Sequence, residues 1–457
     1  MNSMDYFFEP KSIAIIGASH STGKIGHVIL QNLISAGFKG EIFPINPKKG
    51  TIIGKQVYGS IREIKTEIDL AIIAIPGALV PKALKECGER KVKAAIIISA
   101  GFSETGNTKL AEELQKILDK FPSMKVIGPN CLGVMHMQNG VDSLFLPAYR
   151  LERPKHGEIS FISQSGALGS AILDWAGFKN YGINKFVSYG NAMQVDEADL
   201  LEYLGKDETT KVIAVYLEGV RNGKKFFKVL RKVTQKKPVI VIKGGITSGG
   251  AKATKSHTGS LAGSFEVFKA MLKQSNAIHA TTLEEVFDFA RTFVREPEMK
   301  NNRIQIITNG GGYGVLSADA LSMNGLQLAK MQEKTRKEIL KSVPSYAIID
   351  NPMDLTGDAD NKRYEAALNN TSIDKEIDAI LLILLFQVPT LDSDIIETVQ
   401  SIKEETGKPL FVISAGGNYS ETHRMALEKS NINTFVSPFD AAKCFKVLFE
   451  YYKNRAK

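Results

Sequence analysis

The sequence predicts an α/β protein built on parallel sheets, and three observations carry that expectation. Short apolar runs alternate with amphipathic stretches along most of the chain, the pattern of strands joined by right-handed helical crossovers. The 457 residues leave room for about three domains of common size. With 43% hydrophobic and 23% charged residues, the composition is that of a globular protein able to bury real cores.

Taken in order, strands are expected at Ser12–Ile16, Glu41–Ile45, Leu70–Ile75, Ala94–Ser99 and Lys125–Ile127, with helices after most of them. A second region, starting near Gly157, holds strands at Glu158–Ile162, Lys185–Val187, Val212–Leu217 and Pro238–Ile242. The polar, proline-containing segment REPEMKNNR, Arg295 to Arg303, reads as a linker. From about Ile304 the third region looks like a worn copy of the second. FISQSGALGSAI resembles ITNGGGYGVLSA, GNAMQVDEADL resembles NPMDLTGDADN, VIAVYLEG resembles ILLILLFQ, and KKPVIVIKGG resembles GKPLFVISAGG. The copy is chemically incomplete: Gln387 is expected where the second region has Glu218, and after Gly416 and Gly417 no histidine stands where His257 would fall.

A net charge of +9 is scattered along the chain, which favours small anionic ligands over a nucleic-acid track. Cys87, Cys131 and Cys444 are too far apart for a zinc site or a disulfide framework, and the N-terminus MNSMDYFFEP has no signal pattern. A cytoplasmic protein is expected. The longest aliphatic run, Ala379 to Phe386, is too short to span a bilayer.

Three stretches point to chemistry. In the first, the strand SIAIIG runs into ASHSTGKIG, so Gly17, Gly23 and Gly26 lie at a strand-to-helix turn suited to phosphate. A nicotinamide cofactor would favour G-x-G-x-x-G and an acid at the end of the second strand. This chain has instead Asn46, Pro47, Lys48 and Lys49, a charge pattern that fits the 3'-phosphorylated ADP of coenzyme A better than NAD. A plain structural turn is the competing reading.

In the second stretch, ISQSGALGSAI sets Ser163, Ser165 and Gly166 at another such turn, able to hold a phosphate or to serve as a simple helix cap. Asn130 in GPNCLG and Asn191 in SYGNAM can each donate an amide to a carboxylate or phosphoryl oxygen. Cys131 is open to reading as a thioester nucleophile, although a buried structural thiol is favoured.

The third stretch is GGITSGGAKATKSHTGSLAG, a glycine-rich loop presenting His257. Imidazole accepts a phosphoryl group near neutral pH when a carboxylate holds its tautomer, and Glu218 at the end of VIAVYLE is the candidate. A solvated strand-end acid and an incidental loop histidine are the alternatives.

Taken together, GASHSTGKIG, GPNCLG, ISQSGALG, YLEG and SHTGSLAG resemble the α subunits of the ADP-forming (NDP-forming) acyl-CoA synthetases, relatives of succinyl-CoA synthetase. The resemblance covers essentially the whole chain. It implies a Rossmann-like CoA-binding domain over residues 1–130, a flavodoxin-like domain carrying a phosphohistidine loop over 131–296, and a second flavodoxin-like domain over 304–457. It makes His257 the phosphohistidine and Glu218 its stabilising carboxylate. It also implies CoA contacts at Gly17, Ser19, Gly23, Lys48, Ser99, Ala100 and Asn130, the last near the thioester, and phosphate contacts at Ser165, Gly166 and Gly190.

The family also needs an ATP-grasp module, which no segment here supplies. A separate β subunit, in an α2β2 assembly that binds ADP or ATP with Mg²⁺, is therefore expected, with no nucleic acid and no membrane as partner. The rival expectations are a CoA-sensing or acylation-regulating module without chemistry, and an NAD-dependent dehydrogenase.

Overall fold

The structure, a computed structural model, describes residues 3–258 and 264–455; the side chains of residues 254–258 lie outside the description. The chain divides into two compact units, Met1–Val286 and Phe287–Lys457.

The first unit contains two main sheets. Its first sheet uses β1 (Ser12–Ile16), β2 (Glu41–Ile45), β5 (Leu70–Ile73), β6 (Ala94–Ile97) and β7 (Lys125–Ile127) in the order β2-β1-β5-β6-β7, all parallel. Between β2 and β5 a small hairpin, β3 (Gly50–Ile52) and β4 (Lys55–Val57), stands apart. The second sheet comprises β8 (Gly133–His136), β9 (Val141–Asp142), β10 (His156–Ser163), β11 (Ile183–Ser188), β12 (Val212–Leu217), β13 (Val239–Lys243) and β14 (Ile278–Ala280). Its order is β14-β13-β12-β10-β11-β8-β9, with β8 and β9 antiparallel at one end. Strands such as β1 and β5 are buried on both faces, which is why they read as continuous apolar runs. One apolar core runs through both sheets, from Phe7, Ile13 and Ile72 to Ile162, Val215 and Val241.

The second unit is built on β15 (Arg303–Thr308), β16 (Gln327–Leu328), β17 (Ile348–Ile349), β18 (Met353–Asp354), β19 (Ala379–Ile383), β20 (Leu410–Ile413) and β21 (Asn433–Phe435). The main path is β17-β18-β15-β19-β20-β21, with β17 antiparallel and β16 beside β15. Read from β21, this path repeats that of the second sheet read from β14, down to the antiparallel strand beyond the parallel set. In all three sheets the parallel strands follow one doubly wound scheme, and the order reverses at the first strand. That reversal opens a crevice at the carboxyl ends of the strands, where ligands of such folds bind.

Two expectations need correction. The segment Arg295 to Arg303 is no linker: Glu296 and Met299 are buried, and the Glu296 carboxylate accepts from the Leu410 amide at 3.0 Å, from Asn433 Nδ2 at 2.6 Å and from Lys403 Nζ. Its polarity serves a buried network of the second unit, joined by Arg291, which donates to Glu428 at 2.6 Å and to the Thr434 carbonyl at 2.7 Å. The position facing Glu218 in the matching sheet is also not Gln387. Ser163 pairs with Tyr216 as Thr308 pairs with Ile383, so Glu218 corresponds to Leu385. Side chains agree: Gln164 Oε1 accepts from the Glu218 amide at 2.7 Å, and Asn309 Oδ1 accepts from the Leu385 amide at 3.0 Å.

Candidate active site

The first crevice forms where β1 turns into the helix Ile25–Ser35. Gly17 has φ +99°, and a β-carbon on Gly26 would overlap the Gly17 carbonyl oxygen, so the helix start can close on the turn only with glycine there. No side chain caps this helix, which leaves its first amides free for an anion. Ser19 Oγ accepts from the Ser21 amide at 3.1 Å, and Asn46 Nδ2 donates to the Ala18 carbonyl at 2.7 Å, fixing the turn's shape. Opposite, Ser99 Oγ donates to the Ile75 carbonyl at 2.5 Å, tying the ends of β5 and β6 together.

The second crevice forms at β10. Ser165 caps the helix Gly166–Phe178 by accepting from the Leu168 amide at 3.3 Å, and Gln164 Oε1 bridges the amides of Glu218 and Gly219. Between the crevices two loops interlock. The Asn130 amide donates to Ser99 O at 2.9 Å and the Asn191 amide to Pro129 O at 3.0 Å, while a β-carbon on Gly190 would overlap Asn130 O. Asn191 Nδ2 also donates to Glu104 Oε2 at 2.5 Å. Burial raises the Glu104 carboxyl's pKa, but this bond and those from the Gly101 and Phe102 amides outweigh it and hold the group below its ordinary value.

The result is one continuous cleft of about 1160 Å³ at the carboxyl ends of both sheets. Gly17, Ser19, Ser99, Ala100, Asn130, Ser165, Gly166, Gly190 and Glu218 all line it. Two expected residues do not. Gly23 sits in the first turn with φ +79° but off the wall, and Lys48 is an exposed residue whose amide donates to Asn46 Oδ1 at 2.8 Å. Lys49 makes an exposed ion pair with Glu63 at 3.1 Å, and it too is absent from the cleft wall.

The cation that does line the cleft is Lys24, at the start of the helix Ile25–Ser35. Its signal was its place just before the helix in GKIG, where an ammonium adds to the free amides. Cys131 is buried, donates to the Ile97 carbonyl at 3.3 Å, and has its thiol pushed up to about 12 by burial, which fits a structural thiol.

Glu218 is 7% exposed. Its Oε1 accepts from the Tyr216 hydroxyl at 3.3 Å, and its Oε2 is buried with no partner among the described residues. Such a carboxylate oxygen is costly unless something donates to it. The glycine-rich segment, expected as a loop, carries the helix Ser248–Thr258, opened by Thr247 Oγ1 accepting from the Gly250 amide at 3.1 Å. His257 falls in this helix, and its side chain lies outside the described residues.

Fold and site together define a parallel α/β protein with a long cleft ready for anions. Residues 11–137 match a CoA binding domain, 156–293 a succinyl-CoA ligase like flavodoxin domain and 304–435 a ligase-CoA domain. Over 456 residues the chain is 40% identical to acetate–CoA ligase (ADP-forming) I of Archaeoglobus fulgidus, covering 99% of this chain and 64% of that protein. It is 39% identical to the α subunit of acetate–CoA ligase (ADP-forming) II of Pyrococcus furiosus, covering 99% of this chain and 98% of that subunit. Among solved structures, the dinucleotide forming acetyl-coenzyme A synthetase 1 of Ca. Korarchaeum cryptofilum, in complex with phosphate and ADP, is similar at 35% identity and a TM-score of 0.94, covering 100% of this chain and 98% of that one. The chain belongs to the ADP-forming acyl-CoA ligases, which are acid–thiol ligases, and is similar to their α subunits over its whole length.

Proposed function

We propose that this chain binds acyl-CoA and phosphate, and that it carries a phosphoryl group on His257 to an ATP-grasp β subunit, in the reaction acyl-CoA + ADP + phosphate ⇌ carboxylic acid + ATP + CoA. The observation that carries the reading is the single cleft joining the Gly17 turn, the Ser165 turn and the unpartnered Oε2 of Glu218. CoA would lie along it, its phosphates near Gly17, Ser19, Gly23 and Lys24 and its thioester near Asn130. Lys48 would reach it only from outside the wall. The phosphate would sit at the free amides of Ser165 and Gly166, beside Gly190.

In the first step a phosphate oxygen attacks the thioester carbonyl, the C–S bond breaks, and the thiolate leaves and takes up a proton to give CoA. An imidazole nitrogen of His257 then attacks phosphorus, and the carboxylate leaves with the P–O bond electrons. The other ring nitrogen donates to Glu218 Oε2, whose negative charge offsets the positive charge gained by the ring. The phosphoryl group passes finally to ADP, held with Mg²⁺ by the partner. Catalysis rests on positioning and on donors aimed at phosphoryl oxygens.

An α2β2 assembly and a cytoplasmic setting belong to the same proposal. It is supported by the α-subunit relatives and by the phosphate and ADP in the Korarchaeum complex. The same matching sheet topology supports reading a first domain over 1–130, a second from 131 and a third that is its degenerate copy, with the boundary between the last two placed after Val286 instead of over 296–304.

Titration with CoA and NADH, followed by incubation with labelled phosphate and acetyl-CoA, tests the reading. CoA binding and label on this chain are expected; CoA binding without label would favour a non-catalytic sensor, and NADH binding alone a dehydrogenase. Gly26→Ala is expected to weaken CoA binding by about tenfold or more, since the new methyl must push the helix start off the turn. Calorimetric titration reads that loss, and an unchanged affinity would remove CoA from this turn.

A further inference from the structure

We infer that Tyr216 and Lys243 are positioning residues for Glu218, holding one carboxylate oxygen so that the other is left as acceptor, and tying the root of the His257 segment to the strand end that bears the acid. The inference rests on the reading of Glu218 as the acceptor for the histidine ring. Tyr216 lies two residues before Glu218, so both side chains leave the strand on one face. Its hydroxyl holds Oε1 at 3.3 Å and leaves Oε2 as the free acceptor.

Lys243 ends the neighbouring β13 and is buried. Its ammonium donates to the Glu218 carbonyl at 2.8 Å and to the Gly244 carbonyl at 2.7 Å. Gly244 is the first residue of the glycine-rich segment. One cation therefore bridges the backbone of the acid and the root of the chain leading to His257. Burial disfavours that cation, and the Glu218 charge favours it.

The matching sheet of the second unit supplies an independent control. Counting from the paired residues, Tyr216 corresponds to Ile383, Glu218 to Leu385 and Lys243 to Ser414. All three polar groups are replaced there, while the strand order and the amide-bridging Gln164 or Asn309 persist. The fold alone is thus satisfied by apolar residues at the first two positions. At the third, the Ser414 hydroxyl has no partner among the described residues, so no bridge like that of Lys243 is made. The tyrosine, acid and lysine occur as a set on the sheet that faces the cleft.

The test is the rate at which the full chain takes up labelled phosphate over a range of acetyl-CoA concentrations. Tyr216→Phe, which keeps the ring and the packing, is expected to lower the maximal rate about tenfold and leave the half-saturating acetyl-CoA concentration unchanged. In a Glu218→Gln background the same change should have no further effect, because the tyrosine acts through the carboxylate. Lys243→Met should cause a loss of similar size, and Lys243→Arg should restore most of it. Unchanged rates in Tyr216→Phe and Lys243→Met, or losses that multiply in the double variant, would overturn the inference. A wild-type chain that takes up no phosphate would overturn the histidine reading instead, and this inference with it.

Discussion

On the proposed role of His257 as phosphoryl carrier, replacing it with alanine is expected to abolish phosphate uptake and to lower turnover by more than about 1,000-fold, since no other group could take over a covalent nucleophile's role. CoA affinity should stay at the wild-type value, because the residues proposed to hold CoA lie on the turns after β1, β6 and β7, remote in sequence from position 257. The measurement is acid-labile label on the purified chain after incubation with labelled phosphate and acetyl-CoA. Equal labelling of both forms would end the assignment. Loss of label together with loss of CoA binding would point to misfolding, and a calorimetric titration separates the two.

The other large effect lies away from the chemistry. Glu296→Ala removes an acceptor that serves the Leu410 amide, Asn433 and Lys403 at once, and leaves a lysine ammonium in a setting where its side chain is only 10% exposed. Breaking one side of a buried ion pair costs about 3–5 kcal/mol, because the surviving charge is uncompensated. Urea unfolding should show that loss of stability in the unit Phe287–Lys457. A change below about 1 kcal/mol would mean that the pocket around Lys403 opens to water at little cost.

What the sequence revealed follows from where side chains are forced to be. Ser12–Ile16, Glu41–Ile45, Lys125–Ile127 and Val212–Leu217 have the bounds expected, because covered parallel strands are apolar runs, in the interior strands β1 and β12 and in the mostly buried edge strands β2 and β7 alike. The hairpin Gly50–Ile52 with Lys55–Val57 escaped notice since most of it is exposed and its residues alternate weakly. β8 and β9 were hidden as two short antiparallel pieces, β8 beside β11 and β9 beyond it, the first holding His136, whose Nδ1 bonds Phe8 O at 3.0 Å.

At the site, glycine turns were legible because a backbone crossing at Gly17 and Gly26 admits no other residue. Lys24 and Gln164 were not. Gln164 acts through a position fixed only when two strand ends come together, the signal for Lys24 was no more than its place before a helix, and neither residue type is rare on a surface. The slip from Leu385 to Gln387 has a related origin, since apolar strands align equally well at several offsets in sequence and the register shows only in the strand pairing and the Asn309 bond. The glycines at 249 and 250 argued for a loop where Thr247 in fact opens a helix.

The cleft takes one wall from each of two sheets that are otherwise joined by their shared core and by the Asn130–Asn191–Glu104 chain of bonds. Any molecule lodged there works as a rivet: the free energy of its capture is added to the work needed to prise the sheets apart. Resistance of Met1–Val286 to heat and proteases would then rise and fall with the supply of its own metabolite, so that this half of the chain is most durable when it is busiest.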